Sequence, residues 1–215
     1  MKIGVLGTGM VGQVIGTKLV QLGHEVKLGA RSAINEKAAA WVQANGAGAA
    51  QGTFADAAAF GEVVFNCTSG AASLAALEQA GAANLKGKVL IDLANPLDFS
   101  HGMPPSLTVC NTDSLGEQIQ RTFPEVRVVK SLNTVNCNLM VNAAQLPGDH
   151  IVFVSGNDAD AKAQVTSILK DWFGWRAVID LGDIRTARAV EMMLPIWISL
   201  MGKVGTPIFN FAIVR

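Results

Sequence analysis

Short apolar runs alternate with amphipathic stretches along most of the chain. Apolar runs bounded by polar residues or glycine predict strands, whereas apolar positions recurring every three or four residues predict helices. The predicted strands are Lys2–Leu6, Glu25–Ala30, Glu62–Thr68, Lys88–Leu93, Arg127–Leu132, Ile151–Gly156 and Ala177–Leu181, with residues 47–52 as a weaker one. The predicted helices are Val11–Leu22, Asn35–Asn45, Thr53–Phe60, Ala72–Ala80, Ser114–Phe123, Asp158–Phe173 and Asp183–Met201. This alternation is typical of βαβ units and of a parallel sheet.

A glycine-rich segment lies between the first predicted strand and the first predicted helix. It reads Gly7, Thr8, Gly9, Met10, Val11 and Gly12, which is the G-x-G-x-x-G spacing. In this motif the first glycine makes a tight turn, the second lets the backbone approach a pyrophosphate, and the third lets helix and strand pack closely. Because the strand and helix context is also present, we interpret the segment as a dinucleotide-binding loop and not as an ordinary turn.

The tip of the second predicted strand indicates which dinucleotide binds. An NAD site usually carries an acidic residue there, which accepts hydrogen bonds from the adenosine ribose. This chain has Arg31 and Ser32 instead, preceded by Gly29 and Ala30. A guanidinium and a hydroxyl suit a 2′-phosphate, which a carboxylate would repel. We therefore predict NADP(H), the alternative being a surface arginine and a helix-capping serine.

Together these patterns predict an α/β fold: a Rossmann-type doubly wound, mostly parallel sheet with a small C-terminal helical extension. Residues 1–182 would form the NADP-binding domain. Residues 183–215 would form a helical segment that closes the site. The loop from Leu97 to Pro105 is either a mobile flap over the site or a plain connection.

Composition narrows the possible partners and location. The 215 residues contain 17 basic and 17 acidic side chains, which gives no electrostatic footprint for nucleic acid or an anionic membrane. Three cysteines without a C-x-x-C pair indicate neither a disulfide framework nor a metal site. The N-terminus enters the first strand at once, so we expect no signal peptide and a cytoplasmic protein. Pro195 and Pro207 interrupt the apolar tail, which favours a buried helix or a dimer interface over a membrane span.

Ligands of doubly wound sheets bind beyond the carboxyl ends of the strands. Small and polar residues lie at the carboxyl ends of three predicted strands here. We expect them to contact the cofactor, the alternative being that they form turns or cap helices. These candidate cofactor residues are Cys67, Thr68, Ser69, Ala94, Asn95, Pro96 and Asn133.

The chain offers no clear acid–base pair. It has no tyrosine. His24 and His150 each precede a strand, far from the ligand-binding strand ends, and His101 lies on the possible flap. Lys130 lies inside a strand, where we interpret it as structural or as a support behind the site. Hydride transfer between nicotinamide and a flavin-like ring requires mainly that two flat rings be held together. We therefore predict no catalytic side chain, with orientation of stacked cofactors as the contribution of the protein.

Several segments together resemble the F420-dependent NADP oxidoreductases and, more distantly, the reductase domain of the STEAP metalloreductases. The resemblance lies in Gly7–Gly12, Gly29–Ser32, Val129–Thr134, and Asp180–Gly182 leading to Ala187–Glu191. It implies NADP(H) bound through the glycine loop and the Arg31 tip, with F420, FMN or FAD as a possible second substrate. It also implies a C-terminal helical part that closes a shallow site, usually in a dimer.

Two other functions stay open at this level: an NADPH-dependent reductase of a small imine or carbonyl substrate, and a non-catalytic NADP(H)-sensing module. The predicted C-terminal helix and the segment from Pro207 to Val214 carry more apolar surface than a chain of this length readily covers. Because soluble monomers seldom expose a large apolar patch, we predict a homodimer built on this region.

Overall fold

The computed structural model describes residues 1–214, and its centre is an eight-stranded sheet with helices on both faces. The sheet strands are β1 (Lys2–Leu6), β2 (Glu25–Ala30), β3 (Ala49–Thr53), β4 (Val63–Asn66), β5 (Val89–Asp92), β8 (Arg127–Ser131), β9 (Ile151–Gly156) and β10 (Ala177–Gly182). A separate hairpin pairs β6 (Leu97–Asp98) with β7 (Ser106–Leu107).

Ten α-helices lie within the described residues. They are α1 (Met10–Gln21), α2 (Glu36–Asn45), α3 (Phe54–Phe60), α4 (Gly70–Ala80), α5 (Ala82–Leu85), α6 (Leu115–Thr122), α7 (Cys137–Met140), α8 (Ala159–Ser167), α9 (Ala187–Met192) and α10 (Leu194–Val204). The predicted strands and most predicted helices are therefore confirmed, with ends displaced by a few residues. The weak strand predicted at residues 47–52 is present as β3.

The strand order is β10-β9-β8-β5-β4-β1-β2-β3, and all neighbouring pairs are parallel except β8 and β9. The chain leaves β1 toward β2 and later returns on the other side of β1 to form β4, so the order reverses between these strands. The predicted Rossmann-type, mostly parallel sheet is thus confirmed. A switch point of this kind leaves a crevice at the carboxyl ends of β1 and β4, where ligands bind.

Two apolar layers hold the helices against the sheet. One contains Ile3, Ile15, Leu28, Trp41 and Phe65, and the other contains Leu6, Leu77, Leu90, Ile119 and Val128. Consecutive residues of β4 and β5 enter opposite layers, and both strands are buried throughout. Strands buried on both faces have continuous apolar sequences, which is why these two strands are predictable from the sequence.

The single helix predicted for Asp183–Met201 is wrong. The structure has a 3₁₀ turn at Ile184–Thr186, then α9, then α10 beginning at Leu194. Pro195 explains the break, because proline lacks the N–H that would continue the hydrogen bonding and its ring crowds the carbonyl one turn earlier. The helix predicted for Asp158–Phe173 is also divided, since α8 ends at Ser167 and a π-helical turn follows to Trp172.

The tail beyond α10 turns back to the sheet. The Phe211 carbonyl accepts a hydrogen bond from Ile151 N at 3.0 Å, and Asn210 Nδ2 donates to the Ile151 carbonyl at 2.8 Å. The Trp197 and Phe209 rings stack with their centroids 5.2 Å apart. Within residues 1–214, no helix has both the length and the apolar character that a bilayer crossing requires. The division of the chain at residue 182 stays a prediction.

Candidate cofactor site

The loop between β1 and α1 contains three glycines in different environments. Gly7 has φ +115°, and a Cβ there would lie 2.7 Å from the Cys67 carbonyl oxygen. A Cβ on Gly12 would lie 2.1 Å from the Gly7 carbonyl oxygen. A Cβ on Gly9 would meet no atom of the described residues within 4 Å, and the φ of Gly9 is an ordinary −76°. The fold therefore requires Gly7 and Gly12, whereas the space beside Gly9 is left open to a ligand that approaches the backbone.

Two helices direct uncapped N-termini toward this crevice. α1 begins after Gly9 and α4 begins after Ser69, and neither has a capping side chain or an acidic first turn among the described residues. By contrast, α2, α3, α6 and α8 are capped by side chains, which are Asn35, Thr53, Ser114 and Asp158. Unpaired N–H groups and the positive end of the helix dipole favour an anion at α1 and α4.

A cleft of 440 Å³ lies over the carboxyl ends of β1 and β4. Seven of the predicted cofactor residues line it, namely Gly7, Thr8, Gly9, Arg31, Cys67, Thr68 and Ser69. A neighbouring hollow of 290 Å³ shares part of this lining and adds Ser32. The structure therefore brings the glycine loop, the β2 tip and the β4 end around one space.

Arg31 and Ser32 are exposed at the edge of this space. Arg31 forms no salt bridge with any of residues 1–214. Asn35 caps α2 by accepting a hydrogen bond from Ala38 N at 3.0 Å, so Ser32 is not the cap. Both side chains at the tip are thus available to a phosphate group.

The loops after β5 and β8 are joined by a pair of asparagines. Asn95 Nδ2 donates to the Asn133 carbonyl at 2.9 Å, and Asn133 Nδ2 donates to Asn95 Oδ1 at 2.9 Å and to the Val190 carbonyl at 3.0 Å. A Cβ on Gly70 would lie 2.0 Å from the Asn95 carbonyl oxygen, so α4 also packs against this pair. Both amide hydrogens of the buried Asn133 are therefore used by the protein.

The remaining predicted residues differ in their access to a ligand. Met10 is 72% exposed at the start of α1, whereas the side chain of Val11 packs against the core. Ala94 and Pro96 are buried. Cofactor binding by these residues, and by those that line the cleft, stays a prediction.

A fully buried ion cluster lies below the cleft. Lys130 Nζ is 2.8 Å from Asp92 Oδ2 and 2.8 Å from Glu191 Oε1, and it also donates to the Ala94 carbonyl. Burial alone would lower the pKa of Lys130, but the two carboxylates raise it above its ordinary value. Lys130 therefore stays charged, and its three hydrogens are all directed at protein acceptors.

Glu191 connects this cluster to α6. Its Oε2 accepts a hydrogen bond from Leu115 N at 2.8 Å, and its Oε1 accepts one from Gly116 N at 3.0 Å. These amides belong to the first turn of α6, where the helix has no internal acceptor for them. One carboxylate from α9 thus stabilises both a buried lysine and a helix N-terminus.

A second set of buried contacts connects Asp92 to the cleft. Asn66 Nδ2 donates to Asp92 Oδ1 at 2.7 Å and to Ser73 Oγ at 2.9 Å. Thr68 Oγ1 donates to Asn66 Oδ1 at 2.7 Å and lies 2.8 Å from Ser73 Oγ. We call Asn66, Thr68, Ser73, Asp92, Lys130 and Glu191 together the buried polar network.

Sequence reasoning missed Asn66, Ser73 and Asp92. A signal for two of them exists, because Asn66 and Asp92 each end an apolar strand at the ligand-binding edge of the sheet. The cysteine that follows β4 is not a ready nucleophile, since burial and the nearby Asp92 raise the pKa of the Cys67 thiol. The described residues contain no group of three His, Cys, Asp or Glu side chains placed to hold a metal ion.

Comparison with known proteins identifies the family. The family model described as "NADP oxidoreductase coenzyme F420-dependent" matches residues 2–96. A crystal structure from Arthrobacter sp. fb24, described as that of a proposed F420-dependent NADP reductase, is 56% identical over the full length of both chains, with a TM-score of 0.95. The F420-dependent NADP reductase of Methanocaldococcus jannaschii is 31% identical over 67% of this chain and 64% of its own length.

The chain also matches the rat metalloreductase STEAP3, with 29% identity over 91% of this chain. That alignment spans 38% of STEAP3, so the chain covers less than two thirds of either of these two curated relatives. The predicted resemblance is therefore confirmed. The similarity to the reductases is close, and the similarity to STEAP3 is distant. The chain belongs to the family of coenzyme F420-dependent NADP oxidoreductases, whose cofactor is NADP(H).

Proposed function

We propose that this chain transfers hydride between NADPH and a flavin-like or deazaflavin acceptor, of which coenzyme F420 is the first candidate. The observation that carries the proposal is the open space at Gly9, between two glycines that the fold itself requires. The uncapped helices and the unpaired Arg31 support it further. The names of the relatives agree with this function, because one is named an F420-dependent NADP reductase and the other is described as a proposed one.

Each part of the cleft would hold one part of the cofactor. The backbone N–H groups at the start of α1 would bind the pyrophosphate, and Gly9 would let it approach. Arg31 and Ser32 would bind the 2′-phosphate of the adenosine ribose. When bound, NADPH supplies the hydride. The network under Thr68 would keep the β4, β5 and β8 loops in fixed positions around it.

The arrangement of charge favours a flat redox ring as the acceptor. Reduction of a carbonyl or imine benefits from a side chain that donates a proton to the substrate. Lys130 is the basic group beneath the cleft, but its Nζ is fully buried and hydrogen-bonded to Asp92, Glu191 and the Ala94 carbonyl. A ring acceptor needs chiefly alignment and exclusion of water, which this protein can supply without a proton-donating side chain.

The C-terminal region supports the homodimer as a further part of the proposal. Leu194 and Ile198 of α10 are buried inside the monomer, while Ile196 is 50% exposed and Val204 is 56% exposed. Ile213 adds another 59% exposed apolar side chain in the tail. A second copy of the chain would cover these residues by two-fold symmetry. Sedimentation without detergent tests this, and a stable monomer at micromolar concentration would contradict it.

NADPH oxidation followed at its absorbance band, with F420, FMN, FAD and a ferric chelate in parallel, tests the proposed activity. We expect rapid turnover with F420 or a flavin, and loss of turnover in Gly9→Val. Cofactor binding without turnover on any acceptor would instead support the sensing module. Turnover on imines or carbonyls alone would contradict the proposed acceptor.

A further inference from the structure

We propose that the Thr68 hydroxyl faces the bound dinucleotide only as a hydrogen-bond acceptor, so that it selects a donor group of the ligand. This inference rests on the proposed function, because the ligand concerned is the dinucleotide held by the β1–α1 loop. It follows from the direction of each hydrogen bond in the buried polar network, beginning at the buried charges.

Asp92 determines the direction of the hydrogen bond that it shares with Asn66. Its Oδ2 accepts from Lys130 Nζ at 2.8 Å, and its Oδ1 accepts from Asn66 Nδ2 at 2.7 Å and from Ala94 N at 3.2 Å. Ammonium and backbone N–H groups can only donate, so both oxygens of Asp92 act as acceptors here. Asn66 therefore has to direct its nitrogen, and not its oxygen, at Asp92.

The orientation of Asn66 fixes the next two bonds. The second hydrogen of Asn66 Nδ2 goes to Ser73 Oγ at 2.9 Å, and Asn66 Oδ1 accepts from Thr68 Oγ1 at 2.7 Å. Inverting the amide would place its oxygen against the Asp92 carboxylate. Asn66 and Asp92 are both fully buried, so water could not relieve that repulsion.

Thr68 has one hydroxyl hydrogen, and Asn66 Oδ1 takes it. Because Thr68 has no second hydrogen to give, the Ser73 hydroxyl is the donor in its 2.8 Å contact with Thr68 Oγ1. A hydroxyl oxygen has two lone pairs, of which this contact occupies one. The half-buried Thr68 lines the cleft, where it therefore offers one lone pair and no hydrogen.

This polarity defines the ligand group that Thr68 can bind. A ribose hydroxyl or the carboxamide N–H of the nicotinamide would be stabilised there, whereas a phosphate oxygen or the carboxamide oxygen would be repelled. A charge buried at Asp92 thus determines specificity at the cleft through Asn66. Thr68 would be a specificity-determining residue for the dinucleotide.

Calorimetric titration of three variants tests the inference. The ligands are NADP⁺, its 3-acetylpyridine analogue, which lacks the carboxamide N–H, and 2′,5′-ADP, which lacks the nicotinamide half. Thr68→Val removes the acceptor, and we expect it to weaken NADP⁺ binding about tenfold. Thr68→Ser should restore most of that loss. Ser73→Ala disturbs the network but keeps the acceptor, so we expect less than about a threefold loss.

The pattern over the ligands identifies the donor. If Thr68→Val weakens binding of NADP⁺ alone, the donor is the carboxamide. If it weakens binding of both NADP⁺ and the analogue, the donor is a hydroxyl of the ribose next to nicotinamide. If it weakens binding of all three ligands, the donor is a hydroxyl of the adenosine ribose. Normal NADP⁺ binding by Thr68→Val, or an equal loss in Ser73→Ala, overturns the inference.

Neutron diffraction from the ligand-free protein checks the polarity without a cofactor. We expect a deuteron on Thr68 Oγ1 directed at Asn66 Oδ1, and a Thr68 deuteron directed into the cleft would overturn the inference. If the wild-type protein binds none of the three ligands, the proposed function fails, and the deuteron position still decides the polarity of Thr68.

Discussion

Two regions of the molecule treat the hydrogen-bonding capacity of their polar groups in opposite ways. One is the rim of the cleft, formed by Arg31, Gly9 and the first amides of α1, and the other is the buried polar network beneath it. Arg31 and Gly9 are exposed at the rim, and the first amides of α1 have no capping side chain among the described residues. In the network, Lys130 and Asp92 have no exposed side-chain surface and are fully hydrogen-bonded. The rim is completed only by a ligand, whereas the fully buried members of the network are complete without one. The two regions can therefore be perturbed separately, and Thr68 is the network residue that also lines the cleft.

The largest expected effect is on the stability of the network. Lys130→Met would leave Asp92 and Glu191 as unpaired buried carboxylates, so we expect the free energy of unfolding to fall by about 3–5 kcal/mol. Denaturant unfolding measures this loss. Lys86→Met is the matched control, because Lys86 and Glu125 form an ion pair with side chains 63% and 64% exposed. Equal losses in the two variants would show that the buried cluster is unimportant for folding.

The next effect separates binding from folding at the glycine loop. Gly9→Val places a side chain where the pyrophosphate would lie, so we expect NADP⁺ affinity to fall about a hundredfold, or roughly 2.7 kcal/mol. The circular dichroism spectrum should be unchanged. Gly12→Ala should do the reverse and destabilise the fold, because its Cβ would lie 2.1 Å from the Gly7 carbonyl oxygen. Normal NADP⁺ affinity in folded Gly9→Val would mean that the loop is only a turn.

A smaller effect concerns the choice between the two dinucleotides. Arg31→Ala removes the charged contact to the 2′-phosphate, so NADPH affinity should fall about ten- to a hundredfold while NADH affinity changes little. Fluorescence titration with both cofactors measures the difference. Arg185→Ala serves as a control, since Arg185 pairs with Asp183 on the surface. A similar loss for NADPH and NADH would refute the assignment of Arg31.

The smallest effect comes from a surface pair and depends on pH. A hydrogen bond from Arg121 lowers the pKa of Asp113 to about 2. The carboxylate therefore contributes stability above the unfolded pKa of about 3.9, and this contribution is lost as the pH falls through the folded value. Because the Arg121 side chain is 61% exposed, Asp113→Asn should cost only about 0.5–1 kcal/mol at pH 7.

Unfolding of Asp113→Asn and the wild type from pH 7 to pH 2 checks this prediction. The difference between the two proteins should shrink below about pH 4, where the wild-type carboxylate begins to lose its advantage. A difference that grows with acidity would contradict the assignment of the pair.

The rim could be predicted from the sequence because its signals are local. Gly7, Gly9 and Gly12 follow one strand directly, and Arg31 lies at the end of the next. β4 and β5 were equally visible as buried apolar runs. Each of these features depends on residues within a few positions of one another, so periodicity and spacing are sufficient to find them.

The buried polar network could not be predicted because its partners are far apart in the chain. Asp92, Lys130 and Glu191 meet only after the sheet has formed and α9 has returned to it. Nothing in the neighbourhood of Lys130 distinguishes a paired buried lysine from an edge lysine. The long C-terminal helix was mispredicted for a related reason, because apolar periodicity continued across Pro195 although the hydrogen bonding could not.

The contact between Glu191 and α6 makes the first 182 residues depend on the C-terminal segment for their own stability. Residues 1–182 by themselves would lack the acceptor for the Leu115 and Gly116 amides and one of the two carboxylates on Lys130. A recombined protein that takes its first 182 residues from one relative and the remainder from another should therefore fold well only if the lysine and the glutamate are inherited together. The C-terminal segment thus has to evolve with the nucleotide-binding part as one unit.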